Sequence, residues 1–297
     1  MIRQSFAAAG LPGEVSPLVV RAISGGIMDF AYRCLWEGEP GRLREHGAEL
    51  VDWAAGYRLA AAAGAEVGAR LAGAASEARE NAPGSAEARG STLPWEEPAN
   101  SPASCRQLDQ RERILRGTAQ AVADQGYGAL TVPAISAAAG TSNQTFYEHF
   151  ASKEKAFLAA FDALLLQAYA VTAEPFAAMD DWMEAGSAGM LALLEFTARH
   201  RLFRQLNFFE IHAAGPIARD RAETVRGLFV GFMQPDPLPP QAKRRPSTVV
   251  IKAIAGGIWA VIQHEISEGR SDSLPDLLPR ILDLVLVPFG VEDIAAG

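Results

Sequence analysis

The stretch TVPAISAAAGTSNQTFYEHF, from Thr131 to Phe150, admits few conformations. Thr131 is suited to cap a short helix that turns Ile135, Ala138 and Ala139 to one face, and Gly140 supplies the left-handed residue that a tight corner between helices requires. Ser142 can cap a second helix, on which Phe146 and Phe150 fall four apart and point inward. Asn143, Gln144, Tyr147 and His149 are then left facing outward. This is a helix-turn-helix pattern, and Ser152 begins another helix directly after it.

The flanking sequence continues in the same period. Gln107 to Gln125 reads as a helix with Ile114, Leu115, Ala119, Val122 and Ala123 on one stripe, ended at Gly126 by a left-handed cap. Lys153 to Ala170 reads as a helix with Phe157, Leu158, Phe161, Leu164 and Leu165 turned inward. Beyond Pro175, further helices are expected over 181–200, 202–212, 216–232, 247–267 and 274–287, with Asp180 and Asp181 capping the first. No stretch alternates with period two for long enough to make a strand, so the fold class is all-α.

The first helices repeat the last. VVRAISGGI at 19–27 matches VIKAIAGGI at 250–258 at a constant offset of 231 positions, which also places Glu37-Gly38 on Glu268-Gly269, Leu43 on Leu274 and Leu50 on Ile281. A shared glycine pair, a shared break and a shared leucine in ungapped register mark an internal duplication. Residues 18–36 and 43–57 are therefore expected to form two helices that copy the final pair. The alanine-rich run 58–80 extends them weakly because of its glycines. Residues 81–105, rich in proline, glycine and serine, read as a flexible linker, with Trp95 as a docking contact. The expected domains are an N-terminal helical segment (1–80), the linker (81–105), the helix-turn-helix domain (106–152) and a larger helical domain (153–297).

Composition narrows the function classes. The net charge of -8 argues against non-specific coating of nucleic acid, and formal charge cancels between Arg106 and Asp162, so the basic footprint of any reader is weak. Apolar runs such as Ile281 to Val287 stay far below the ~18 residues of a membrane span, so no membrane association is expected. The N-terminus lacks the extended apolar core of a signal peptide, and Cys34 and Cys105 suit a reducing cytoplasm. His46, His149, His200, His212 and His264 show no metal-ligand spacing. No nucleophile–base set, phosphate loop or acid pair marks a catalytic residue, so neither an enzyme nor a cofactor is expected.

Residues 111–162 carry, in order and without gaps, the glycine–aromatic corner, T-V-x-x-I followed by A-A-G, then T-F-Y-x-H-F, and finally S-K-E at the next helix start. This stretch resembles the DNA-binding domain of TetR-family transcriptional regulators, and F-F-E-I-H-A-A-G-P at 208–216 resembles part of that family's ligand-binding domain. The resemblance implies a cytoplasmic, ligand-responsive repressor with a three-helix DNA-binding domain ahead of a helical effector-binding and dimerisation domain. Its partners would be an operator in double-stranded DNA, an unknown small-molecule effector and a second copy of the chain. Helix 143–150 would read the DNA. Asn143 and Gln144 suit adenine edges; Thr131, Tyr147, His149 and Lys153 suit phosphate oxygens; Ser142 and Thr145 complete the surface. Glu148 must face away from phosphate or be paired.

Candidates for the effector pocket are Trp182, Met190, Phe208, Phe209, His212 and Trp259. Candidates for the dimer interface are Ile254, Ile258, Ile262, Leu278, Ile281, Leu282 and Val285. The duplication leaves the assembly open between a homodimer, an exchange of helices between chains and an intramolecular pseudo-dimer in which the N-terminal helices mask the interface. In the last case the protein would be a partner-binding module impaired in DNA binding.

Overall fold

A computed structural model describes residues 16–59, 64–81 and 109–291, and every regular element among them is helical, as the periodicity predicts. The helices are α1 (Pro17–Trp36), α2 (Gly41–Leu59), α3 (Gly64–Asn81), α4 (Gln110–Gln125), α5 (Val132–Ala139), α6 (Asn143–His149), α7 (Lys153–Ala177), α8 (Trp182–Arg199), α9 (Arg201–Phe208), α10 (Pro216–Phe232), α11 (Thr248–Ser267) and α12 (Leu278–Leu286). Residues 82–108, which hold most of the expected linker, Trp95 and Cys105, lie outside the described residues.

Two compact units emerge, and they do not follow chain order. One falls within Met1–Glu77, Pro175–Leu191 and Leu228–Gly297, the other within Ala78–Glu174 and Ala192–Gly227. The first part of α7 thus groups with the helix-turn-helix, and the N-terminal helices group with the C-terminal ones.

In the helix-turn-helix unit, local side-chain chemistry sets the boundaries. α4 starts in a capping box: the Asp109 carboxylate accepts from the Glu112 amide at 2.7 Å while Glu112 accepts from the Asp109 amide at 3.4 Å. This start lies beyond the expected Gln107, which falls outside the described residues. Gly126 ends α4 with φ 80° but ψ 157°, so it takes a positive φ without the left-handed helical cap the sequence suggests. Thr131 caps α5 by accepting from the Ala134 amide, Gly140 is left-handed at φ 62°, and Ser142 caps α6 by accepting from the Thr145 amide. Ile114, Val122, Ile135, Phe146, Phe157 and Phe161 are each 0% exposed, and burial of each such side chain is worth about 1.5–3 kcal/mol. α7 continues past the expected Ala170 and carries Pro175 in its last turns.

In the other unit, α1 lies against α11. A Cβ at Gly26 would collide with the Ala253 carbonyl and one at Gly257 with the Ala22 carbonyl, so the two helices touch backbone to backbone. α2 is tied to the end of α12 by a buried chain of hydrogen bonds: Trp53 Nε1 donates to the Tyr57 hydroxyl at 2.9 Å, which donates to the Leu284 carbonyl at 2.6 Å. Trp182 Nε1 donates to the Phe232 carbonyl at 2.8 Å, and its ring packs on Phe289. Asp181 caps α8, as expected, by accepting from the Met183 and Glu184 amides.

Two helices bear on the expectation of no membrane span. By length and composition alone, α7 and α11 are apolar enough to cross a bilayer, because scattered residues such as Asp162 and Lys252 interrupt their apolar runs without lowering the average far. About half of each helix is nevertheless buried in the protein, including Phe157, Phe161 and Leu164 on α7 and Ile251, Ile254 and Ile258 on α11.

Candidate nucleic-acid interface

α6 is held from below and open above. Phe146 is fully buried and Phe150 is 6% exposed, and their rings lie 6.0 Å apart, which locks the rotation of the helix about its axis. The Arg111 guanidinium lies 5.5 Å from the centroid of the Phe150 ring. With the inner face fixed in this way, Ser142, Asn143, Gln144, Tyr147, Glu148 and His149 are exposed and Thr145 is half-buried.

The exposed side chains are not equivalent. Asn143 has no hydrogen-bond partner among the described residues, so both its amide hydrogens and its oxygen remain available. Gln144 donates to the Glu148 carboxylate at 3.4 Å, which commits part of the Gln144 amide without neutralising the carboxylate. Tyr147 is 60% exposed and meets Phe146 edge to face at 5.4 Å, so its hydroxyl projects from an anchored ring. His149 Nε2 lies 3.4 Å from Gln110 Oε1, and the Ser142 and Thr145 hydroxyls lie 3.0 Å apart. Thr131 is exposed, with its oxygen engaged as the α5 cap.

Lys153 differs from the rest. Its ammonium donates to the Leu130 carbonyl at 2.8 Å and lies 5.2 Å from the centroid of the Tyr127 ring, so it braces the corner between α4 and α5 from inside the unit. One of its three donors is committed to that brace.

Two residues outside the motif hold the same corner and were not singled out by sequence. Glu210 accepts from the Tyr127 amide at 2.8 Å and from the Gln205 side chain at 3.0 Å, beside positive-φ Gly126. Arg201, the first residue of α9, donates to the Ala123 carbonyl and to Asp124, both at 3.1 Å. Gln120 first and Arg201 second hold the Asp124 carboxyl below the usual range. The only sequence signal was the F-F-E-I-H segment around Glu210.

The effector candidates divide between the two units. Trp182, Met190 and Trp259, all half-buried, fall in the unit with α11, whereas buried Phe208, half-buried Phe209 and exposed His212 fall in the unit with the helix-turn-helix. The dimer candidates Ile254, Ile258, Ile262, Leu278, Ile281, Leu282 and Val285 are all buried within the single chain. No cluster of three or more metal-ligating side chains occurs among the described residues.

Residues 114–160, which span α4, the two helices of the motif and the start of α7, match the model of bacterial regulatory proteins of the tetR family. The match covers this domain, about a sixth of the chain. The fold is also similar to that of solved structures. The fatty acid degradation regulator FadR from Bacillus halodurans is 15% identical with a TM-score of 0.51, over 61% of this chain and 96% of that one. FadR from Bacillus subtilis, solved with stearoyl-CoA, is 15% identical with a TM-score of 0.52, over 59% of this chain and 96% of that one. At these identities the likeness is one of fold, and it leaves about two-fifths of this chain without a counterpart in either structure. No curated protein matches the chain by sequence.

Proposed function

We propose that this protein is a TetR-family regulator that binds an operator in double-stranded DNA through α6 and acts in the cytoplasm as a repressor that a small-molecule effector releases. The observation that carries the DNA half is Asn143: an exposed, unpartnered amide on a helix whose orientation is fixed by Phe146 and Phe150. An asparagine in that situation suits the bidentate pair of acceptor and donor on an adenine edge in the major groove. Gln144 is the second base-reading candidate, with Glu148 as a competitor for its amide.

Tyr147, His149, Thr131, Ser142 and Thr145 are assigned to phosphate oxygens, which set register rather than sequence. Lys153 is assigned a shared role, bracing Leu130 and lending its remaining donors to phosphate. Repression and effector control are supported by the family alone. Trp182, Met190 and Trp259 in one unit, and Phe208, Phe209 and His212 in the other, are two separate sets of proposed effector residues, with stearoyl-CoA a first probe because a protein of similar fold is solved with it.

The test is selection of a bound sequence from random duplex DNA, followed by titration of that sequence with the parent, Asn143→Ala and Tyr147→Ala. Loss of a bidentate base contact weakens binding by about 10-fold or more and relaxes preference at one base pair, whereas loss of a phosphate contact weakens binding to all sequences alike. Parent-like affinity in both variants overturns the assignment of α6.

A further inference from the structure

The duplicated segments are joined to each other within one chain, and their contacts are reciprocal. Gly26 of α1 meets Ala253 of α11, and Gly257 of α11 meets Ala22 of α1. Gly25 meets Ala260, and Gly256 meets Asp29, whose Cβ would lie 2.8 Å from a Cβ at position 256. A shift of 231 positions carries 22 to 253, 25 to 256, 26 to 257 and 29 to 260, so each contact maps onto the other member of its pair. This is the signature of an isologous interface, in which residue i of one copy touches residue j of the other and j touches i. Two unrelated helices packed in a core have no reason to obey it.

From this we infer that α1 and α2 occupy, in cis, the face through which α11 and α12 would join a second copy, so that the protein is a monomeric pseudo-dimer with a single DNA reader. The apolar residues that a homodimer would bury between chains are already covered: Ile254 is 2% exposed, Ile258 5%, Ile262 3% and Ile281 0%. The second layer is locked as well, by the buried hydrogen bonds from Trp53 through Tyr57 to the Leu284 carbonyl. Where the copies differ, the N-terminal one has specialised. Asp29 replaces the alanine of position 260 and pairs with Arg33 at 3.2 Å, and Trp53 and Tyr57 stand where the C-terminal copy has Leu284 and Pro288.

The consequence for DNA rests on the proposed reading of α6, whereas the packing does not. A TetR-like homodimer presents two recognition helices to two half-sites, and this chain presents one. It therefore binds a half-site in a 1:1 complex, and a second half-site one helical turn away raises apparent affinity only by the statistical factor of about two.

The experiment reads mass without DNA. Light scattering of the full chain at micromolar concentration is expected to give the monomer mass of 31.7 kDa. A species of twice that mass overturns the proposal. In a second measurement, a protease site placed within residues 82–108 of the full chain is cut under native conditions. The two fragments are expected to elute together with unchanged total mass, and their separation overturns the proposal. A dimer whose DNA binding still depends on Asn143 removes the pseudo-dimer and keeps the reader. A monomer indifferent to Asn143→Ala removes the reader and keeps the pseudo-dimer.

Discussion

Gly117 on α4 and Ala139 on α5 approach so closely that a Cβ at position 117 would stand 2.6 Å from the Ala139 amide nitrogen and 2.8 Å from its Cβ. The atoms it would meet are backbone and a methyl on a capped helix, which have no rotamer to yield. Gly117→Ala is therefore expected to push α4 and α5 apart, at a cost of about 1–3 kcal/mol that outweighs the gain in helix propensity. Chemical denaturation reads this as a lower midpoint with unchanged slope. Gly128→Ala, at a glycine with nothing within 4 Å of its added Cβ, serves as the control with a small effect.

Glu210 is expected to hold the α4–α5 corner through the Tyr127 amide. Glu210→Ala leaves that part-buried N–H without its carboxylate acceptor, a loss of about 1.5–3 kcal/mol for a charge-assisted bond. Hydrogen exchange at Tyr127 should quicken in the variant, while amides in the middle of α7 keep their protection. Parent-like exchange at Tyr127 would show that Glu210 holds nothing.

His200 makes its unit sensitive to acid. Burial first, and the nearby Arg204 second, bring its pKa down to about 4 from 6.5, so the folded state keeps the ring neutral while the unfolded chain protonates it. The unfolded state binds more protons between these values, so the contribution of His200 is fully present above pH 6.5 and lost as pH falls towards 4. The loss is on the order of 2 kcal/mol. His200→Gln should flatten the dependence of stability on pH in that window; an unchanged slope refutes it.

Asp283 acts in the opposite sense, in the other unit. Burial raises its carboxyl to about 6, against a smaller opposing effect of the Gly68 backbone hydrogen bond. A raised folded pKa favours the protonated acid in the native state, so its contribution is fully present below 3.8 and lost as pH rises through 6. Asp283→Asn is expected to raise the melting temperature at pH 7.5 and leave it nearly unchanged at pH 3.5. A lower melting temperature at pH 7.5 contradicts this account.

Tyr57→Phe removes the buried hydroxyl between Trp53 Nε1 and the Leu284 carbonyl, leaving one donor and one acceptor without that partner. The expected cost is about 1–3 kcal/mol. If α2 docks on α12 as one cooperative piece, exchange should quicken in both helices and not in α5 or α6.

The helix-turn-helix was legible from residue order because its determinants are local. Thr131, Gly140 and Ser142 act on atoms within a few residues of themselves, and the spacing of Phe146 and Phe150 announces which side of α6 is buried. The same locality explains the all-α reading and the near-correct helix limits. The exceptions, such as Gly126 with its extended ψ and α7 running on to Ala177, arise where packing and not propensity decides how an element ends.

Sequence by itself thus determined the second helix of the helix-turn-helix, its exposed side chains and the presence of a repeated sequence segment. Tertiary structure alone decided which partners those side chains meet and where the duplicate packs. Asn143 stays unpartnered while Gln144 turns to Glu148, Lys153 turns inward to Leu130, and Glu210 reaches Tyr127 across 83 positions of chain. Likewise the offset of 231 reveals two like helices, but only the backbone contacts of Gly26 with Ala253 and Gly257 with Ala22 show that they face each other. Periodicity records which face of a helix is apolar. It carries no record of the partner, because any complementary face excludes water equally well, and the choice among faces is made by close packing in three dimensions.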